Sequence, residues 1–153
     1  MQQDLGGTTR MPSEDRMVVT YTVVPDDFVR AGEASGAFKK ILKGLGFPSE
    51  VIRRCAIAMY EGEMNMVIHA RGGEITAAVT PEFIELELKD VGPGIPDIDL
   101  AMTEGYSTAT EAARDIGFGA GMGLPNIKKY TDSLTIDSEV GMGTTVYMTI
   151  KTA

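Results

Sequence analysis

The chain contains one cysteine, Cys55, and one histidine, His69. A single cysteine cannot form an internal disulfide, which fits a reducing compartment. Cys55 precedes Ala56, Ile57, Ala58 and Met59, and such a setting suits a small core residue better than a reactive thiol. A lone histidine cannot build a His-rich zinc site, and Cys55 is not spaced to complete one. Basic residues are also scarce, with 14 Lys and Arg against 22 Asp and Glu and a net charge of −8. They form no run, so a nucleic-acid-binding surface is disfavoured. No apolar stretch approaches the ~20 residues that span a bilayer, and no membrane partner is expected. The first residues, Met1 to Thr9, lack the basic and apolar regions of a signal peptide. Residues 1–16 are expected to be a short, poorly ordered tail. Residues 17–153 suit one compact cytoplasmic domain. No G-x-x-x-x-G-K-[ST] phosphate loop occurs, and the glycines come too late for a Rossmann unit.

Hydrophobic residues make up 43% of the chain, enough for a core, and alternation and helical spacing distribute them among elements. Met17–Val24 reads as a strand rich in Val, Thr and Tyr. Pro25-Asp26-Asp27 is expected to open a helix running to Leu45, capped by Asp26 or Asp27 and stopped by Gly44 and Gly46. Ser49 is expected to cap a second helix that ends near Ala70. Strands are expected at Glu74–Thr80 and Glu82–Lys89. A glycine-punctuated lid follows, with short helices at Asp97–Met102 and Thr110–Asp115. A helix over Gly121–Tyr130 and a hairpin of Leu134–Glu139 with Thr144–Lys151 complete the order. This pattern predicts an α+β domain: a two-layer α/β sandwich with helices on one face of a mixed, mostly antiparallel sheet.

Three motifs stand out. In the first, Glu61, Asn65 and His69 recur every four residues on an otherwise apolar helix and so share one face. Buried polar groups without partners cost several kcal/mol. The stripe is therefore either a set of satisfied core hydrogen bonds or a site. As a site, the Asn65 carbonyl oxygen is a hard ligand suited to Mg²⁺. Glu61, one turn away, can take a proton from a water or hydroxyl near a phosphate. His69 suits a phosphate-side donor and a core residue equally. The second motif, Asp90-Val-Gly92-Pro-Gly94-Ile95, ends a strand in a tight turn. Asp90 can accept from an exocyclic amine such as adenine N6, or be an ordinary turn aspartate. Gly92 and Gly94 allow backbone to approach a flat ring. In the third, Gly117, Gly119, Gly121 and Gly123 alternate before Leu124 and a helix, which suits inward N–H groups around an anion.

In this order the motifs resemble the ATP-binding domain shared by gyrase, heat-shock chaperone ATPases, histidine kinases and mismatch-repair ATPases, the Bergerat or GHKL fold. The helix motif is similar to its N box and the glycine motifs to its two glycine boxes. Gly143-Thr144-Thr145 matches its late G-T element. The short length and the E-x-x-x-N-x-x-x-H-A form are similar to the anti-sigma-factor serine kinases. The resemblance implies ATP and Mg²⁺ as cofactors, Asn65 as the metal ligand and Glu61 as the base that activates a serine hydroxyl. It implies that Asp90 binds the adenine amine, with Thr144 supporting it through water, and that Gly92 and Gly94 form the adenine rim. Gly119, Gly121 and Gly123 would wrap the phosphates. His69, Ile95, Met122 and Leu124, in the same boxes, complete the expected nucleotide-binding set. Arg114 is assigned to the γ-phosphate from its charge and its place in the lid. Implied partners are a sigma factor and the antagonist protein that receives the phosphate, and family members often form homodimers. Two other functions compete: a detached histidine-kinase-type ATP domain, and a non-catalytic ATP-gated binding module.

Overall fold

A computed structural model describes residues 2–4, 16–27, 29–95, 97–102 and 123–153. The expected helix at residues 110–115 and most of the expected lid lie outside them. The described elements are strands β1 (Gln2–Asp4), β2 (Met17–Val23), β3 (Gly73–Val79), β4 (Phe83–Asp90), β5 (Ser133–Glu139) and β6 (Gly143–Lys151). The helices are α1 (Glu33–Gly44), α2 (Ser49–His69), α3 (Ile98–Ala101) and α4 (Gly123–Tyr130). The six strands form one sheet in the order β1-β5-β6-β4-β3-β2. Every neighbouring pair runs antiparallel, so the expected mixed sheet is antiparallel throughout its described strands. Gln2–Asp4, within the segment read as a tail, pair with Asp137, Ile136 and Thr135 at the β5 edge.

The register explains the core. Ile75 faces Leu88, Ala77 faces Leu86, and Val79 faces Ile84 across β3 and β4. Leu86 faces Met148, and Met148 faces Leu134. These residues fall on one face because side chains alternate along a strand. That face packs beneath α1 and α2 with Phe38, Leu42, Cys55 and Met59, all at most 1% exposed. Burial pushes the Cys55 thiol up to about 12, as a core role requires.

Two helix starts differ from expectation. Asp26 adopts a positive φ of 57°, and Asp27 Oδ1 accepts the Arg30 N–H at 3.2 Å, so both serve a turn ahead of the helix. α1 begins only at Glu33, behind Gly32, which supplies no side-chain cap. Its orphan N–H groups are met from α2 instead. Glu63, 3% exposed, accepts from the N–H groups of Gly32, Ala34 and Ser35 at 3.0–3.2 Å. It also accepts from Ser35 Oγ at 3.0 Å. A carboxylate placed there complements the positive end of the helix. Similarly, Ser49 lies inside α2 and Pro48 occupies the cap position without a side-chain bond. α1 ends as expected, with Gly46 at φ 81° donating to the Lys43 carbonyl.

Candidate functional site

α4 runs antiparallel along α2 on the side that carries Glu61 and Asn65. Gly123, the first residue of α4, lies against Asn65: a Cβ there would stand 3.0 Å from Asn65 Oδ1. One turn later, the Asn126 side chain hydrogen-bonds the Glu61 carboxylate. A Cβ on Gly62 would lie 3.8 Å from Ile127 Cδ1 and would collide with Leu88 Cδ2 on β4. Glycine at 62 therefore seats α2 close to both neighbours. At the far end, Arg54 donates to the Tyr130 carbonyl at 3.1 Å and pairs with Asp132 at 3.1 Å. That cation complements the negative end of α4. Burial raises the Glu61 carboxyl above its ordinary range, and the Asn126 bond opposes the shift. Burial also lowers the imidazole of His69, the last residue of α2.

The second part of the site lies where β4 ends. Asp90 Oδ1 accepts the Thr144 N–H at 3.0 Å. Burial raises the Asp90 carboxyl, and that backbone bond counters it. A Cβ on Gly92 would lie 3.4 Å from Asp90 Oδ1 and 3.1 Å from Ala70 Cα, where α2 meets the β4 loop. Gly94 takes φ 76°, and a Cβ there would stand 2.5 Å from the Glu139 carbonyl oxygen. A side chain at 94 is thus excluded by both conformation and space. The Ile95 N–H donates to Ser138 Oγ at 2.7 Å, and Ser138 Oγ lies 2.9 Å from Thr144 Oγ1. Gly141 also donates to the Pro93 carbonyl at 2.9 Å, which ties the loop to the β5–β6 hairpin.

The structure thus brings Glu61, Asn65 and Gly123 together on α2 and α4, while Leu124, next on α4, packs against the hydrophobic core. It brings Asp90, Gly92, Gly94, Ile95 and Thr144 together at the β4–β6 end. Arg114, Gly119, Gly121 and Met122 lie outside the described residues. A groove of about 1120 Å³ between β2 and α1 is lined by Tyr21, Ala37, Lys40 and others, and none of the expected nucleotide residues belongs to it. Sequence reasoning missed Asn126, Ser138, Glu63 and Arg54. Ser138 leaves a trace in the pattern, because Leu134, Ile136 and Ser138 alternate and the last breaks the apolar series. Asn126 lies three residues after Gly123, a spacing that shares a helix face.

The family model described as histidine kinase-, DNA gyrase B-, and HSP90-like ATPase matches residues 50–153. The serine/threonine-protein kinase RsbT of Bacillus subtilis is 31% identical over 112 residues, covering 71% of this chain and 78% of that protein. An anti-sigma F factor of a Thermoanaerobacter species is 34% identical over 101 residues, or 66% of this chain and 63% of that protein. The anti-sigma F factor of Geobacillus stearothermophilus is 30% identical over 100 residues, or 65% of this chain and 62% of that protein. The chain thus spans less than two thirds of these anti-sigma F factors. The matched region holds the Glu61–Asn65 helix, the Asp90 turn and the Thr144 strand, and with them the chain belongs to the histidine kinase-, gyrase B- and HSP90-like ATPase family.

Proposed function

We propose that this chain is a regulatory protein kinase that binds ATP with Mg²⁺, phosphorylates a serine or threonine of an antagonist protein, and binds a sigma factor. One observation carries the reading: Glu61 and Asn65 lie one helical turn apart against the start of α4. The donor set fits the nucleotide. Glycine at 123 leaves the Asn65 amide uncrowded, since a Cβ there would stand 3.0 Å from its Oδ1. Asp90 Oδ1 is taken by the Thr144 N–H, so its second oxygen is the one to receive the adenine amine. Asn65 would hold Mg²⁺ through its amide oxygen. ATP would supply the phosphoryl group. Glu61 would take the proton from the acceptor hydroxyl, with Asn126 beside it favouring its ionised form. The positive N-terminal end of α4 would face the phosphates, with Gly119, Gly121 and Arg114 contributing from the preceding segment. The name of the RsbT relative favours a serine or threonine acceptor over histidine.

Labelled ATP, Mg²⁺ and candidate antagonist proteins test the reading. Acid-stable label on a partner serine or threonine is expected. Acid-labile label would mean histidine transfer, and ATP binding without transfer would mean a gated binding module. Glu61→Gln should keep ATP binding and lose about 10²–10⁴-fold in transfer rate. Asn65→Ala should weaken the Mg²⁺-dependent part of ATP affinity, measured by calorimetry.

A further inference from the structure

The face of α2 turned away from the sheet is open over its first half. Arg53, Ile57 and Tyr60 follow at i, i+4 and i+7 and so share that face, opposite Cys55, Ala58 and Met59 in the core. The Arg53 side chain is 53% exposed and Tyr60 is 37% exposed, with Ile57 half-buried between them. One turn past Tyr60 the face closes, since Met64 is 5% exposed. The open stripe therefore ends beside Glu61. Its flanks belong to the neighbouring helices. Gly32, ahead of α1, lies against Tyr60: a Cβ there would stand 3.2 Å from Tyr60 Cε1. α4 supplies Tyr130, whose ring has the Arg53 guanidinium and the Lys129 ammonium each 5.4 Å from its centroid.

The far end of the stripe is cationic on a chain whose net charge is −8. A negative partner is repelled by the molecule as a whole, so local cations decide where it can dock. Arg54 is occupied by Asp132 and the Tyr130 carbonyl. Lys128 and Lys129 are exposed and form no ion pair with a described residue. Arg53 pairs with Glu50 at 3.3 Å, but both side chains are more than half exposed, and such a surface pair opens readily for a partner. We infer that this stripe is the docking track of the phosphoacceptor protein: Ile57 and Tyr60 take an apolar side chain beside the acceptor hydroxyl, and Arg53 with Lys129 takes a carboxylate farther along. Arg53 lies eight residues ahead of Glu61, which is about 12 Å along the helix axis. The acceptor therefore carries an acidic group about 12 Å from the hydroxyl it presents to Glu61, with apolar surface between. This inference rests on the reading of the chain as a protein kinase with Glu61 as its base.

The test uses the antagonist protein that the labelled-ATP experiment identifies. Against it, the double variant Arg53→Glu with Lys129→Glu should raise KM about tenfold or more and leave kcat and ATP affinity within about twofold. Arg53→Gln with Lys129→Gln should move KM the same way by about threefold or more, and serves if the reversal does not fold. Acidic residues of the antagonist are then changed one at a time to lysine. One of them should restore KM with the charge-reversed kinase, and it should lie about 12 Å from the labelled hydroxyl. An unchanged KM in both double variants overturns the inference. So does a loss confined to kcat or to ATP affinity, which is what a merely structural role would give. Restoration by no acidic residue, or only by one more than about 20 Å from the hydroxyl, overturns it as well, since the stripe spans about 12 Å. Absence of transfer by the wild type would instead overturn the kinase reading, and the docking track with it.

Discussion

Burial raises the Asp90 carboxyl, and the Thr144 N–H at 3.0 Å offsets only part of that rise. An acid with a raised folded-state pKa favours folding when protonated. That contribution is lost as pH climbs from the unfolded value to the folded one, so at neutral pH the ionised group costs stability. Asp90→Asn keeps an acceptor for Thr144 and removes the charge. Its nucleotide-free melting temperature at pH 7 should equal or exceed the wild type's, with the advantage shrinking as pH falls from the raised folded-state value toward the ordinary carboxylate value and gone below about pH 4. Its ATP affinity should fall about 10- to 100-fold, because a charge-assisted hydrogen bond becomes a neutral one. Glu63 makes the contrasting case. Its buried carboxylate accepts from three N–H groups and one hydroxyl, a job only an all-acceptor group can do. Glu63→Gln points an amide NH₂ at those donors and should cost about 2–4 kcal/mol in chemical denaturation. An unchanged midpoint would rule out this cross-helix cap.

The antiparallel pair of α2 and α4 sets the geometry of the candidate site one turn at a time: Gly123 against Asn65, Asn126 on Glu61, and Arg54 on the Tyr130 carbonyl. Asn126→Leu removes the bond that lowers the Glu61 carboxyl while burial still raises it. The acidic limb of the phosphotransfer profile should therefore move to higher pH, since the base must be ionised to act. ATP affinity should change little, and an unmoved limb in kcat/KM against pH would separate Asn126 from the base. These cross-element bonds also mark where the sequence becomes hard to read. Strands β2 to β6 and the body of α2 announce themselves through period-two and helical spacing, which are local signals. The start of α1 does not, because its cap comes from Glu63, some 28–31 residues away, while Asp26 and Asp27 are spent on a turn. Asp90, Gly92 and Thr144 were legible as a set through motif order. Ser138 and Asn126 touch the site through partners on other elements: Ser138 meets Thr144 across the β5–β6 hairpin but holds the Ile95 N–H from 43 residues away, and Asn126 meets Glu61 from another helix, which no local pattern announces.

At the scale of the molecule, the candidate site is assembled from the middle and end of α2, the end of β4, the start of β6 and the start of α4, pieces that meet only in the folded chain. The unfolded chain has no such site, so a nucleotide that binds there stabilises the native state by mass action. At a free concentration 100 times its dissociation constant the gain is about 2.7 kcal/mol. For a domain of this size each kcal/mol shifts the melting temperature by about 2–4 °C, which gives an expected rise of about 5–11 °C with saturating ATP and Mg²⁺. GTP at the same concentration should give a clearly smaller rise, since O6 would meet Asp90 acceptor to acceptor. Chelating the Mg²⁺ should remove part of the ATP rise in the wild type. In Asn65→Ala, where the metal contribution is already lost, chelation should change the ATP rise little. Equal shifts with ATP and GTP would mean that the Asp90–Thr144 end does not read the base. A chelation effect of full size in Asn65→Ala would mean that the metal is held elsewhere.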